Sequence, residues 1–189
     1  MKRAAALIFL LALALRLGVV AQLRDEPLFR TPQLDALEYV SWGTQMAGGD
    51  FTWPVAPIHA PGYPLLIALV LAITGKVSVL PIVQAILGSL AAVMTFAIGR
   101  RLFGPVAGVA AGVLHATYAP LILIDVSILA EGLFVFLLTA TLLLVVKLPD
   151  LQRPTPALIA AGLLLGFSII VRPTAAALIP LLAWYAVRA

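Results

Sequence analysis

Repeated apolar stretches, each close to the length of a bilayer crossing, constrain this chain more than any other feature. The first runs from Ala4 to about Gln22, roughly 19 residues behind Lys2 and Arg3, and is long enough to cross a bilayer as a helix. With 63% hydrophobic and 11% charged residues in a length of 189, a soluble domain could not cover its own surface. The pattern predicts an all-α integral membrane protein. A cleaved signal peptide shares the basic start and apolar middle of the first run. Arg16 within that run favours a retained helix, because an intramembrane arginine is costly and faces protein or water. Cysteine is absent, which excludes disulfides and thiolate metal sites. The net charge of +4 reads as a record of membrane orientation and gives no support to a nucleic-acid partner.

Six spans are expected in a single transmembrane domain, over residues 4–22, 79–99, 105–122, 126–146, 156–171 and 174–187, with a polar outer loop over 23–78. In that loop Thr31 can cap a helix, Pro32 suits its first turn, and Gly48 and Gly49 can end it, which predicts a short helix over 32–47. A second short helix is expected over 63–74. Its apolar run, bounded by Pro64 and Gly75, is too short to span and is read as juxtamembrane or re-entrant. This arrangement gathers Lys2, Arg3, Arg100, Arg101, Lys147, Arg153 and Arg188 on one side and leaves Arg24, Arg30 and Lys76 on the other. By the positive-inside rule the N-terminus is cytoplasmic in a multi-pass protein of the inner (plasma) membrane. Asp25, Glu26, Asp35, Glu38, Asp50 and Asp125 fall outside, Glu131 falls in the outer half of the fourth span, and Asp150 falls inside. The chemistry is therefore expected at the periplasmic or extracellular face.

The stretch from Gln33 to Pro64 brings acids, aromatics, glycines and prolines together between apolar runs, and is the first candidate for a site. On the short helix Asp35, Glu38, Tyr39 and Trp42 recur at i, i+3, i+4 and i+7, hence on one face. The two carboxylates could supply a general base or hold a divalent cation; a solvated acidic face is the plainer reading. His59 precedes A-P-G-Y-P in a proline-rich turn, and one histidine without a second ligand is weak evidence for metal. Glu131 is expected about six residues, roughly 9 Å, into the fourth span, where it must be paired, neutralised or wetted. An ionisable group at that depth is a functional candidate; a structural pair with Arg16, at similar depth, is the plainer alternative. Arg172 stands where Pro173 breaks a helix; a guanidinium there suits a phosphate, or it marks the membrane boundary. His115 reads as a core hydrogen-bonding residue. No phosphate-binding glycine loop and no Ser/His/Asp arrangement is present.

In order along the chain come Asp35 to Tyr39 as D-x-x-x-Y, His59 to Pro64 as H-A-P-G-Y-P, Gly99 to Gly104 as G-R-R-L-F-G, Leu129 to Phe134 as L-A-E-G-L-F, and Gly162 to Pro173 as G-L-L-L-G-F-S-I-I-V-R-P. In this order the chain resembles the N-terminal half of the GT-C membrane glycosyltransferases, closest to their ArnT-like and protein-mannosyltransferase-like branch. The resemblance covers nearly the whole chain. It implies transfer of a sugar from a polyprenyl-phosphate carrier to an acceptor at the outer face, with inversion at the anomeric carbon. It further implies Asp35 as general base, with Glu38 as its catalytic neighbour. Arg172 and His59 would bind the carrier phosphate, and Tyr39, Tyr63 and Glu131 would line the substrate cavity. A divalent cation at Asp35 and Glu131 stays open, as does the choice of base, because the loop offers D-x-x-E where many relatives have D-E. The carrier tail needs a greasy groove, for which the helix over 63–74 is the expected wall. Full members of the group are longer, so the expectation includes a truncated or split product, a small relative whose protein partner supplies the C-terminal half, or an inactive remnant. A non-catalytic membrane protein of the same fold, binding lipid carriers or scaffolding a complex, is the second reading. A small transporter, the third, would put acids and helix breaks near the midplane of several spans.

Overall fold

The computed structural model describes residues 2–26, 32–52, 59–152 and 154–188. Among the described residues every regular element is helical. The described residues form nine α-helices in chain order: α1 (Lys2–Leu23), α2 (Asp35–Ala47), α3 (Gly62–Thr74), α4 (Leu80–Phe103), α5 (Pro105–Thr117), α6 (Ala119–Val126), α7 (Ala130–Lys147), α8 (Thr155–Val171) and α9 (Ile179–Arg188). Short 3-10 turns lead into α4, follow α7 and join α8 to α9. The protein is an all-α membrane protein.

Among the described residues fewer helices qualify as spans than the six expected. Lys2–Leu23, Val77–Phe103 and Ala130–Asp150 are long and apolar enough to cross a membrane, and α5 with α6 makes a fourth if the bent pair counts as one. The pair bends by 53°. Its cause lies in the sequence: Pro120 has no N–H to donate to the carbonyl of Ala116, so the helix breaks at Tyr118 and restarts. The chain then runs extended through Ser127 and Leu129 before α7 begins at Ala130. The expected fourth span thus starts later than 126, and Glu131 lies in the first turn of α7 instead of six residues deep. At the other end of the chain, Pro173 and the 3-10 turn Pro173–Leu178 cut the apolar sequence into α8 and a short α9.

Helix α4 is the common member of two cores. On one side Ile8, Ala12, Ala92, Phe96 and Ala116 join α1, α4 and α5; on the other, Tyr39, Tyr63, Ile67, Leu80, Ala130, Leu133 and Val171 join α2, α3, α4, α7 and α8. Because lipid is as apolar as these side chains, close packing and polar contacts hold such helices together more than hydrophobic burial does. One polar contact is central. Arg16, fully buried, donates from Nε to Asp125 Oδ2 at 2.8 Å and from Nη1 to the carbonyl of Ala116 at 3.3 Å, the acceptor that Pro120 leaves open. Arg16 is therefore paired with Asp125, so the alternative of a structural pair between Arg16 and Glu131 does not hold; Glu131 meets Arg172. Asp125, placed in the outer loop by sequence, is carried back into the bundle on α6 and is 2% exposed. Gly88 faces this pair so closely that a Cβ there would overlap Asp125 and come within 2.8 Å of Arg16 Nε.

The two short helices lie at the end of the bundle where α4 and α7 begin. Helix α2 starts at Asp35, three residues later than expected; Pro32 precedes it, and Thr31, the expected cap, lies outside the described residues with Arg30 and Arg153. Leu34 stands at the cap position with φ 52°, a conformation costly for a leucine, and no side chain caps the helix. Gly48 and Gly49 close its other end, and Gln45, Asp50 and Thr52 hold the turn beyond, the hydrogen bonds from Thr52 keeping the Asp50 carboxyl below its usual pKa.

Candidate active site

Helix α2 divides its candidate face into a rim and a floor. Trp42 and Met46 pack on Ala68 and Leu65 of α3, and Tyr39 is 6% exposed against the larger core. Asp35 and Glu38, one turn nearer the open end, keep more than half of their side-chain surface in solvent. The helical period predicts this gradient once the aromatics are buried, because residues three and four apart share a face while their depth varies along it.

His59 joins that rim. Its Nδ1 lies 3.3 Å from the Tyr39 hydroxyl, and its Nε2 lies 3.3 Å from Glu38 Oε2 and 3.6 Å from Asp35 Oδ1. The tautomer assigned from this network has Nδ1 accepting from the phenol and Nε2–H directed at the carboxylates. Its ring sits 4.6 Å from that of Tyr39, which in turn meets Tyr63 edge-on at 4.9 Å and 80°. What brings this segment into place is Gly62 at the start of α3. A Cβ there would come within 2.6 Å of the Ile170 carbonyl oxygen, so only glycine lets α3 seat on the last turn of α8.

The last turn of α8 delivers Arg172. As the residue before Pro173, it adopts the extended conformation, with φ −143° and ψ 113°, and leaves the helix axis. Its Nη2 pairs with Glu131 Oε1, in the first turn of α7. Tyr39 lies between this ion pair and the His59 group. Burial first, then the negative charges of Glu131 and Asp35, push its phenol above its ordinary pKa, and Arg172 opposes the shift only in part. Tyr39 stays a neutral hydrogen-bond donor at any physiological pH.

Asp35, Glu38, Tyr39, His59, Tyr63, Glu131 and Arg172 thus lie at one end of the bundle in two sets of contacts, the His59 set and the Glu131–Arg172 pair, with Tyr39 close enough to feel the charges of both. In these sets, His59 contacts the carboxylates and Tyr39, and Arg172 contacts Glu131. Among the described residues no group of three or more His, Asp or Glu is arranged to hold a metal ion.

Sequence reasoning missed Gln84. Its Oε1 accepts from the Tyr63 hydroxyl at 2.8 Å, and its Nε2 donates to the carbonyls of Ser127 at 3.0 Å and Leu129 at 3.4 Å. It thereby ties α3 to the extended strip that leads into Glu131. A lone amide inside the apolar run L-P-I-V-Q-A-I-L was the available signal, since a buried amide in lipid needs partners.

A cavity of about 770 Å³ opens beside the group, lined by Leu34, Val40, Val77, Pro81, Val126 and Leu129 among others. Its walls come from the far side of α2, the turn into α4 and the strip after α6. Helix α3, the expected wall, takes no part in its lining.

No curated protein and no solved structure matches the chain significantly. A family model described as dolichyl-phosphate-mannose-protein mannosyltransferase matches residues 58–189, a stretch that includes His59, Tyr63, Glu131 and Arg172. With well over half of its length matched, this chain belongs to the dolichyl-phosphate-mannose-protein mannosyltransferase family.

Proposed function

We propose that this protein, a member of a glycosyltransferase family, moves a sugar from a polyprenyl-phosphate carrier to an acceptor hydroxyl, with Asp35 as the general base and Arg172 holding the phosphate. The observation that carries the proposal is the gathering of an exposed carboxylate pair, a buried neutral tyrosine and a fixed guanidinium at one end of the bundle. The apolar cavity behind α2 supports a place for the first isoprene units of the carrier.

The chemistry asks for these groups. As the bond from the anomeric carbon to the phosphate oxygen breaks, negative charge grows on the phosphate, and a preorganised guanidinium beside it stabilises the transition state more than the ground state. The acceptor oxygen attacks from the opposite side and inverts the centre while its proton passes to Asp35. His59 Nε2–H stands between the two carboxylates, 3.3 Å from Glu38 and 3.6 Å from Asp35, and its attraction for both keeps Asp35 on the rim. On the proposed orientation this end of the bundle faces the periplasmic or extracellular side of the membrane.

The test is transfer by the purified full chain from polyprenyl-phosphate mannose to a hydroxyl acceptor, or hydrolysis when the acceptor is omitted. Asp35→Ala is expected to slow transfer by about 10²–10⁴-fold, the usual worth of a general base. Product formed at the wild-type rate by that variant would remove Asp35 from the mechanism. Carrier binding by the wild type without any turnover would favour a non-catalytic carrier-binding protein.

A further inference from the structure

We infer that Glu131 is a resident competitor for the Arg172 guanidinium, occupying it in the empty site and giving way when the donor's phosphate arrives. The inference rests on the proposed role of Arg172 and adds to it a regulator of donor affinity. The guanidinium meets the Glu131 carboxylate, which offers it the same kind of oxygen acceptor that a phosphate does.

Three observations make the contact exchangeable. The side chains of Arg172 and Glu131 are 43% and 32% exposed, so an anion from solution or from the membrane surface reaches both. Each charge also sits at the helix end that suits it without the other. Glu131 lies in the first turn of α7, where the unpaired N–H groups favour an anion, and Arg172 follows the last turn of α8, where the carbonyls favour a cation. Separating them therefore costs less than separating a pair with no other support. Finally, the contact uses Nη2 of the guanidinium and Oε1 of the carboxylate, whereas a phosphate takes two parallel donors from the same fork.

The consequence is that Glu131 lowers affinity for the donor. It holds the arginine in place when the site is empty, and it weakens retention of the spent carrier phosphate after transfer. Release of product then does not require breaking an undiminished arginine–phosphate contact. A merely structural Glu131 would leave a weaker site when removed; a competitor leaves a tighter one.

The experiment measures binding of sugar-free polyprenyl phosphate to the full chain in detergent or nanodiscs, for wild type, Glu131→Gln and Arg172→Gln. Exposed ion pairs are weak, so Glu131→Gln is expected to bind about two- to tenfold more tightly than wild type. Glu131→Ala is expected to change affinity in the same direction, and it serves if the glutamine variant does not fold. Arg172→Gln is expected to lose binding by about tenfold or more. Unchanged or weaker binding by both Glu131 variants, with the loss at Arg172 intact, overturns the inference and leaves the proposed function standing. Unchanged binding by Arg172→Gln overturns both.

Discussion

His59 holds three groups together with one ring. Without it, Asp35 and Glu38 repel each other across the rim, and the Tyr39 hydroxyl, in a side chain only 6% exposed, loses its imidazole acceptor. His59→Ala is expected to slow transfer by about tenfold with little change in donor KM, and to cost about 1–3 kcal/mol of stability, the range for stranding a buried donor. Rates at saturating donor and thermal unfolding in detergent check both parts. A large rise in KM instead would return His59 to the phosphate-binding role that sequence suggested for it. That the neighbours of His59 are hard to read from sequence has a physical source. A helical period shows which residues share a face, so Asp35, Glu38 and Tyr39 were legible as a set. It says nothing of which face a histidine twenty residues onward meets, because that depends on the fit of Gly62 against Ile170.

At the scale of elements, the break between α5 and α6 and the ion pair beneath it form one device. Pro120 opens the carbonyl of Ala116, Arg16 fills it, and Asp125 balances Arg16. Arg16→Met alone leaves Asp125 charged and buried, and about 3–5 kcal/mol of stability is expected to be lost. Adding Asp125→Leu should recover most of that loss, because an apolar replacement of both partners restores balance without desolvating a charge. Thermal unfolding of the single and double variants decides; a double variant as unstable as the single would show that the hydrogen bond to Ala116 dominates. By depth alone, Glu131 is the acid that a buried Arg16 could meet, and that pair is the alternative to a functional Glu131. Sequence reasoning placed the end of the third span near Ile122, and so set Asp125 in a loop. Hydrophobicity locates apolar runs well, but a proline inside one, followed by an immediate restart, changes which acid is carried inward.

Over the whole molecule, the exposed ion pairs described above and one more mark opposite ends, with the Arg16–Asp125 pair buried between α1 and α6. The candidate site occupies the end where α4 and α7 begin; at the other, Arg101 pairs with Asp150 and donates to the carbonyl of Val146, joining the ends of α4 and α7. The absence of cysteine makes sidedness directly measurable. On the proposed orientation, a single cysteine at exposed Ala47 reacts with a membrane-impermeant maleimide in intact cells, and one at exposed Gln152 reacts only after permeabilisation. The reverse pattern would invert the protein and move the site to the cytoplasm. The helical membrane class was legible from composition alone, and the family from short motifs in order. The number of full spans was not, because total apolar length does not reveal where prolines divide it.

The seam at Gly62 has a bearing on what the site can accept. The backbone of Gly62 rests on the Ile170 carbonyl, with the Val171 side chain beside it, so the corner bearing the imidazole and the corner bearing the guanidinium share one closely fitted seat. On the proposed function, cargoes of different bulk are expected to be accommodated along the outer lip of α2, with the gauge between those two corners held by the seam.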